Sequence, residues 1–179
     1  MGIEAVKSST PEYCRGRIKE AIKIIMSKQQ SDLHKFVADT KKEFFDLPAE
    51  AISFPRSCNN LRKYHSSSSV FIKGTPIHVK GALIYNHLLK KHKLTHKYQL
   101  IQEGEKLKYL LLKTPNILQS NVIAFISELP KEFNLHEQID RDKQFSKSFV
   151  DPIEMIMECI DWQVDRSYGT RRTLESLFG

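Results

Sequence analysis

Cysteine is scarce in this chain of 179 residues, and the three cysteines that occur lie far apart. Cys14, Cys58 and Cys159 are odd in number and form no C-x-x-C pair. This spacing excludes the disulfide framework of a small secreted domain and the usual structural zinc sites. We therefore expect a protein of a reducing compartment that folds without disulfides or zinc.

Long hydrophobic runs are missing as well. The apolar stretches are short, as at residues 122–126, whereas a helix that spans a bilayer needs roughly 18 or more consecutive apolar residues. We therefore expect no membrane span. With 40% hydrophobic and 27% charged residues, the composition is that of an ordinary soluble globular protein, and the length allows one moderate core or two small ones.

Two helix starts are visible near the beginning of the chain. Thr10 followed by Pro11 and Glu12 supplies a hydroxyl cap, a proline that needs no N–H in the first turn, and an acid at the positive end of the helix dipole. Ser31 and Asp32 open a second helix that ends before Pro48. Each helix carries a single apolar stripe, so we predict that the two pack as a helical pair.

After residue 49 the sequence alternates between strand and helix patterns. The alternation at 51–54 predicts an edge strand closed by Pro55, and the basic, serine-rich composition of 56–69 predicts a solvated loop. Apolar periodicity predicts a helix at 81–92 and a helix through 145–157 that is interrupted by Pro152. The remaining strands are predicted at 97–101 and 106–112, as a hairpin around the turn 102–105, and at 122–126. The predicted fold class is α+β: a helical hairpin, then a small mixed β region, then C-terminal helices.

Acidic residues are fewer than basic ones, 21 against 28, which leaves a net charge of +7. Much of the positive charge lies in non-helical segments, interleaved with amides and hydroxyls: Lys7, Arg56, Asn59, Asn60, Arg62, Lys63, Tyr64, His65, Lys73, His78 and Lys80. Backbone phosphates accept hydrogen bonds from such a mixture, which favours a nucleic-acid surface. The alternative is an ordinary solvated face.

The last residues form an unusual apolar end. Leu174, Leu177 and Phe178 recur at helical spacing, although a chain end is normally frayed and polar. We expect this tail to dock in the groove of a partner protein, and the alternative is that it folds back on its own domain.

Six blocks of the sequence resemble, in the correct order, the part of family B replicative DNA polymerases of T-even-type bacteriophages that runs from the end of the palm to the C-terminus. One of them is the motif C-N-N-L-R-K-Y at 58–64. The six blocks are 1–11, 58–64, 73–86, 128–132, 147–150 and 174–179. Met1 matches an internal methionine of the family.

The resemblance implies a thumb subdomain that wraps the primer-template duplex. It implies three domains: the end of the palm at 1–10, the thumb at 11–165 and a tail that binds the sliding clamp at 166–179. Lys7 matches a lysine that reaches the minor groove near the primer end. The residues that match positions along the product-strand backbone are Lys63, Tyr64, Lys73, His78, Lys80 and Lys147. The alternative for Lys7 is a solvent-exposed lysine ahead of a helix, and the alternative for Tyr64 is a packing residue.

The sequence departs from the family pattern at several of these positions. Lys80 stands where the phage enzymes more often have arginine, which keeps the charge but loses the bidentate fork. Lys73 is separated from His78 by one residue more than in the family pattern, which shifts its register. Asp151 replaces a lysine and would repel phosphate, and the turn 119–121 is neutral instead of charged.

We predict no catalytic and no metal-binding residues in this chain. The family resemblance places the carboxylates that hold two divalent metals, expected to be Mg²⁺, in a palm that precedes this segment. Asp140-Arg141-Asp142 has acid-x-acid spacing but lies in a polar run. No arrangement of nucleophile, base and orienting group is recognisable. We expect no cofactor in this chain and no polymerisation by it alone.

The resemblance therefore predicts the C-terminal subunit or fragment of a DNA-directed DNA polymerase for viral DNA replication, acting in the cytoplasm of a bacterial host. Its expected partners are primer-template DNA, an N-terminal polymerase chain with exonuclease, palm and fingers, and a sliding clamp. We expect no interaction with a membrane. Two origins agree with this resemblance: the chain is the second product of a naturally split polymerase gene, or it is a piece cut from a longer polymerase. The rival functions are a stand-alone, non-catalytic DNA- or RNA-binding module and an adaptor that only recruits the clamp.

Overall fold

The computed structural model describes residues 7–27, 29–160 and 162, and it confirms the α+β fold class. The chain divides into two compact units. The helical unit consists of 1–47 together with 145–179, and the mixed unit consists of 48–144. The predicted boundary of the thumb at residues 11 and 165 stays a prediction.

The helical unit contains the predicted helical pair. Its elements are α1 (Glu12–Ser27), α2 (Gln30–Asp46), a π-helix (Ser146–Val150), α7 (Asp151–Met157) and a 3₁₀ turn (Glu158–Ile160). Both helix starts are confirmed to within two residues, and α2 ends before Pro48 as predicted. Pro152 lies in the first turn of α7, where its missing N–H costs little.

Three aromatic rings form the centre of the helical unit. Phe44, Phe145 and Phe149 are fully buried, and Phe145 lies 5.2 Å from each of the other two ring centroids. Each such ring pair contributes about 0.5–1.5 kcal/mol beyond the apolar area it buries. Beside them, the Cys14 thiol donates to the Ser148 hydroxyl at 3.3 Å, so α1 is joined to the π-helix by a buried polar contact.

A charged group on the outside of the unit joins α1 to α2. Arg17 donates to the carboxylate of Glu43, and Tyr13 donates to the same carboxylate at 2.8 Å. The Arg17 guanidinium also lies 5.8 Å from the centre of the Phe36 ring. Burial raises the pKa of Tyr13 to about 12, so the phenol remains a donor at neutral pH. The hydrogen bonds from Tyr13 and Arg17 lower the pKa of Glu43.

The mixed unit is built on a small antiparallel sheet. Its helices are α3 (Ala49–Ile52), α4 (Leu61–Tyr64), α5 (Ile77–Lys91) and α6 (Arg141–Phe145), with two 3₁₀ turns at Lys131–Phe133 and His136–Gln138. Its strands are β1 (Phe54–Ser57), β2 (His65–Ser66), β3 (Val70–Phe71), β4 (Lys106–Leu111) and β5 (Val122–Phe125). The boundary between the two units falls within α6, after residue 144. The three-stranded sheet has the order β1-β4-β5, and β2 pairs with β3. All of these pairs are antiparallel.

The predicted strand at 51–54 is wrong. Residues 49–52 form a helical turn, and β1 begins at Phe54 and includes Pro55. A proline cannot donate to a sheet, but β1 is an edge strand of this sheet and so has a partner on only one side. An edge strand was therefore predicted correctly for this region, but it lies at 54–57 and not at 51–54.

The predicted hairpin is also wrong in one arm. Residues 106–111 form β4, but both sides of β4 are occupied by β1 and β5. The segment 97–101 is not a strand, because the side-chain amide of Asn86 supplies a substitute partner. This amide donates to the Ile101 carbonyl and accepts from the Ile101 N–H, both at 2.8 Å.

The predicted loop at 56–69 holds the end of β1, all of α4 and β2. The remaining elements are close to their predictions. The helix α5 starts one turn earlier than expected, the strand at 122–126 is confirmed as β5, and the expected break near Pro152 is a π-helical turn.

The contact between α5 and β5 is very close at one glycine. A Cβ atom added to Gly81 would lie 2.9 Å from the Ala124 nitrogen and 3.1 Å from the Ile123 carbonyl carbon. Both are backbone atoms of β5, which cannot move aside as a flexible side chain could. Glycine at this position therefore allows α5 to lie directly on the sheet.

Gly81→Ala is expected to lower the free energy of unfolding by about 1–3 kcal/mol, because the methyl group has no room against β5. Chemical denaturation with urea measures this change. Gly16→Ala in α1 is the control, since no atom lies within 4 Å of its added Cβ, and it should stabilise by about 0.4–1 kcal/mol. Equal stability of Gly81→Ala and the unsubstituted protein would contradict the packing argument.

Candidate nucleic-acid interface

The seven residues predicted to bind DNA are divided between the two units. Lys7 and Lys147 belong to the helical unit. The other five follow one another through the mixed unit from α4 to the first turns of α5 and are Lys63, Tyr64, Lys73, His78 and Lys80. We call these five residues the basic strip.

The first part of the basic strip rests on a long-range cap. Asn60 adopts a left-handed conformation, with φ of 65°, immediately before α4. The carboxylate of Glu103 accepts hydrogen bonds from the backbone N–H groups of Asn60 and Leu61, the second at 2.8 Å. A carboxylate at this end also complements the helix dipole. Glu103 thus fixes the start of the short helix that carries Lys63 and Tyr64.

Lys63 and Tyr64 differ in how they are held. Lys63 is exposed, and its ammonium nitrogen lies 5.4 Å from the centre of the Tyr64 ring. Tyr64 is half-buried, and its carbonyl accepts from the Ile72 N–H at 3.1 Å. Half-burial fits the packing alternative for Tyr64, and its contact with DNA stays a prediction.

Lys73 lies on an exposed turn between β3 and α5. Gly74 follows with φ of 84°, a conformation that side chains disfavour, and the Thr75 hydroxyl donates to the Ile72 carbonyl at 2.6 Å. The turn is therefore held by its own hydrogen bonds. Ile72 and Ile77 remain partly exposed beside it, at 43% and 36%.

Lys80 is half-buried and contacts two neighbouring elements. Its ammonium nitrogen lies 5.1 Å from the centre of the Phe71 ring in β3 and donates to the Asn121 side-chain oxygen at 3.0 Å. Neither partner carries a negative charge, so the positive charge of Lys80 is positioned without being neutralised. Asn121 belongs to the turn that the sequence showed to be neutral, and it was not among the predicted site residues.

His78 contributes a neutral imidazole at physiological pH. Burial lowers its pKa below the usual value, and the positive charge of Arg56 lowers it further. Its ring lies 6.5 Å from that of Tyr109 in β4. His78 can therefore exchange hydrogen bonds with a ligand, while the charge of the basic strip resides on its three lysines.

In the helical unit, the neighbour of Lys147 reduces its effect. Lys147 donates to the Asp151 carboxylate at 2.8 Å, one helical turn further along. Asp151, at the position where the resemblance predicted a lysine, thus compensates the charge of Lys147. Lys7 is exposed and precedes α1, and its carbonyl accepts from the Thr10 N–H at 3.2 Å.

The predicted clamp-binding residues Leu174, Leu177 and Phe178 lie outside the described residues, as do residues 1–6. Within the described part of the chain, no helix is long and apolar enough to cross a membrane.

The acid-x-acid motif has a structural role. The Asp140 carboxylate accepts from the Lys143 N–H at 3.0 Å and caps α6. Among the described residues, no group of three or more His, Cys, Asp or Glu side chains is placed to hold a metal ion. Burial raises the pKa of Cys14 and that of Cys58 to about 11, so both thiols are protonated at neutral pH.

Glu103 was missed by the sequence reasoning. It lies in the turn between 102 and 105, more than 40 residues from the helix it caps, and a local pattern carries no signal of such a contact. The sequence shows only two asparagines ahead of a short basic segment, and it does not indicate which residue accepts from their amides.

Glu103→Ala is expected to loosen the start of α4 by about 1 kcal/mol, because two amide donors lose a charged acceptor. The Leu61 amide should then exchange with solvent about fivefold faster. Hydrogen exchange followed by NMR measures this rate. Glu137→Ala removes an exposed carboxylate elsewhere in the mixed unit and should leave Leu61 unchanged. Unaltered exchange in Glu103→Ala would show that the cap is unimportant.

Two curated proteins resemble this chain in sequence. The DNA-directed DNA polymerase of Enterobacteria phage T4 is 28% identical over 183 aligned positions, which include the whole of this chain and 19% of the phage protein. That of Escherichia phage RB69 is 31% identical over 159 positions, covering 86% of this chain and 17% of the phage protein. No protein-family model matches the chain. The chain thus spans less than a fifth of the length of these relatives, and by sequence it matches a C-terminal part of a T4-like DNA polymerase.

Proposed function

We propose that this chain is the thumb of a DNA-directed DNA polymerase and grips the primer-template duplex, while polymerisation is catalysed by residues outside it. The observation that carries the proposal is the collinear similarity of the whole chain to the T4 polymerase. The expected catalytic partner has the exonuclease, palm and fingers, and holds the two divalent metals. The complex would replicate viral DNA in the cytoplasm of a bacterial host.

The geometry of the basic strip supports the duplex contact. Lys63 and Lys73 are exposed on a capped helix and on a glycine turn, and neither has a carboxylate partner among the described residues. Lys80 keeps its charge between a ring and an amide. Phosphate contacts of this kind position a protein on a duplex without reading its sequence.

Lys63→Ala combined with Lys80→Ala should weaken duplex binding at every sequence tested. If both lysines contact phosphates, the slope of log K against log salt becomes shallower by about two. Fluorescence anisotropy with a labelled primer-template at several salt concentrations measures the slope. Lys19→Ala with Lys23→Ala removes the same charge from α1. Equal effects of the two double variants would mean that the basic strip is only part of a diffuse positive field.

Primer extension is expected only when this chain is combined with a polypeptide that supplies the palm and fingers. The reason is that the chemistry needs the palm carboxylates, whereas stable engagement of the product needs the thumb. A primer-extension assay with each polypeptide alone and with the mixture tests this. Full activity of the palm-containing polypeptide, unchanged by adding this chain, would argue against the proposal.

The apolar tail is proposed to tether the polymerase to a sliding clamp. Three apolar side chains entering a groove each contribute roughly 1.5–3 kcal/mol of transfer free energy, from which ordering and association costs are subtracted. Leu177→Ala combined with Phe178→Ala should therefore abolish retention of the chain on immobilised clamp. Duplex affinity serves as the control and should not change. Undiminished retention of the double variant would remove the tether from the proposal.

A further inference from the structure

A pocket of about 340 Å³ opens in the mixed unit beside the basic strip. One wall is the face of α5 that carries residues 83, 86, 87 and 90, spaced i, i+3, i+4 and i+7 along the helix. The other wall is α4 and the β2–β3 turn. The lining residues are Leu61, Arg62, His65, Ser66, Ser67, Ser68, Val70, Leu83, Asn86, His87 and Lys90.

The pocket has an apolar floor and a polar rim. Leu83 is buried and Leu61 and Val70 are half-buried, so the apolar lining lies deepest. Four exposed side chains surround it and are Arg62, His65, His87 and Lys90. A pocket of this volume is at the small end of the range found for organic ligands, roughly 300–1,000 Å³.

The charge around the pocket has one sign. None of the lining residues is a carboxylate, and none of the four basic side chains forms an ion pair within the described part of the chain. The amide of Asn86 is already bonded to Ile101, so cations, imidazoles and serine hydroxyls remain to meet a ligand. Such a rim is suited to an anionic ligand.

The serines are held in a compact turn at the rim. The Ser66 hydroxyl lies 3.1 Å from that of Ser68, and it accepts from the Ser69 N–H at 3.3 Å and from the Ser69 hydroxyl at 3.2 Å. Val70 closes the turn with φ of 67°, a conformation that costs a branched residue on the order of 1–3 kcal/mol. These contacts hold in place the turn whose serines line the pocket.

The pocket is distinct from the basic strip. On α4 it uses Leu61 and Arg62, followed by His65, whereas the basic strip uses Lys63 and Tyr64. On α5 it uses Leu83 and residues after it, whereas the strip uses His78 and Lys80. The two sets share elements but no residue.

We propose that this pocket binds a single unpaired nucleotide, with the base over the apolar floor and the phosphate at the rim. Nucleotides combine a flat apolar ring with an anion, which is the combination that this lining offers. Imidazole rings and the planar guanidinium of Arg62 are known stacking partners for unstacked bases. Paired bases cannot enter, since they remain stacked inside a duplex. The ligand is therefore either a free nucleotide or an unpaired residue of a strand.

Binding to the intact chain can be followed by NMR titration of the backbone amides. The probes are deoxyadenosine monophosphate, adenosine, inorganic phosphate, a four-residue single-stranded deoxyadenylate and a blunt duplex. The monophosphate should shift the amides of the lining residues and bind at least tenfold more tightly than adenosine or phosphate alone. If the single strand binds tenfold more tightly than the monophosphate, the ligand is a strand residue. If it does not, the ligand is a free nucleotide.

Arg62→Ala with Lys90→Ala should weaken monophosphate binding at least tenfold. The charge-matched control is Lys91→Ala with Lys106→Ala, two exposed lysines of the same unit that do not line the pocket. Phosphate binding as tight as the monophosphate, identical shifts with the blunt duplex, or equal losses in the two double variants would each overturn the proposal. Duplex affinity depends on the basic strip, so failure of the pocket would leave that function standing.

Discussion

The packing of α5 on β5 is the contact on which the rest of the mixed unit depends. Gly81 brings the helix backbone within van der Waals distance of the strand backbone at Ala124. Residues before this contact, His78 and Lys80, belong to the basic strip, and residues after it line the pocket. A displacement of α5 would therefore move residues of both candidate sites, although neither site contains the glycine.

Hydrogen bonds from side chains of distant segments position the other parts of the mixed unit. Glu103 caps α4, Asn86 replaces a strand partner for Ile101, and Asn121 meets Lys80. Each of these contacts satisfies backbone or charged groups that would otherwise need water. Because none of the three partners is positively charged, they fix the geometry of a basic surface without adding to the repulsion within it.

The sequence was sufficient for elements whose own pattern determines them. The cap at Thr10, the stop at Pro48 and the periodicity of α5 are local signals, and the helical pair and β5 were predicted from such signals. The strand at 51–54 was mispredicted because its alternation is a local signal, and the chain there closes a helical turn before β1 begins at Phe54. The arm at 97–101 was mispredicted because strand formation needs a free edge. Here β1 and β5 occupy both edges of β4, and Asn86 satisfies Ile101 instead. The basic residues were visible in the sequence, but Glu103 and Asn121, which hold them, were not.

The basic strip is uneven in character, and this bears on how it would hold a moving duplex. Burial keeps His78 neutral, Lys80 is held between a ring and an amide, Lys63 is exposed with its ammonium beside the Tyr64 ring, and Lys73 is exposed on its turn. A held lysine loses little side-chain entropy on meeting a phosphate, whereas a free one loses up to about 2 kcal/mol. A surface that mixes both kinds combines a fixed register point with adaptable charges that can pass from one phosphate to the next. Such a division would suit the proposed duplex grip, which must retain DNA while allowing it to advance.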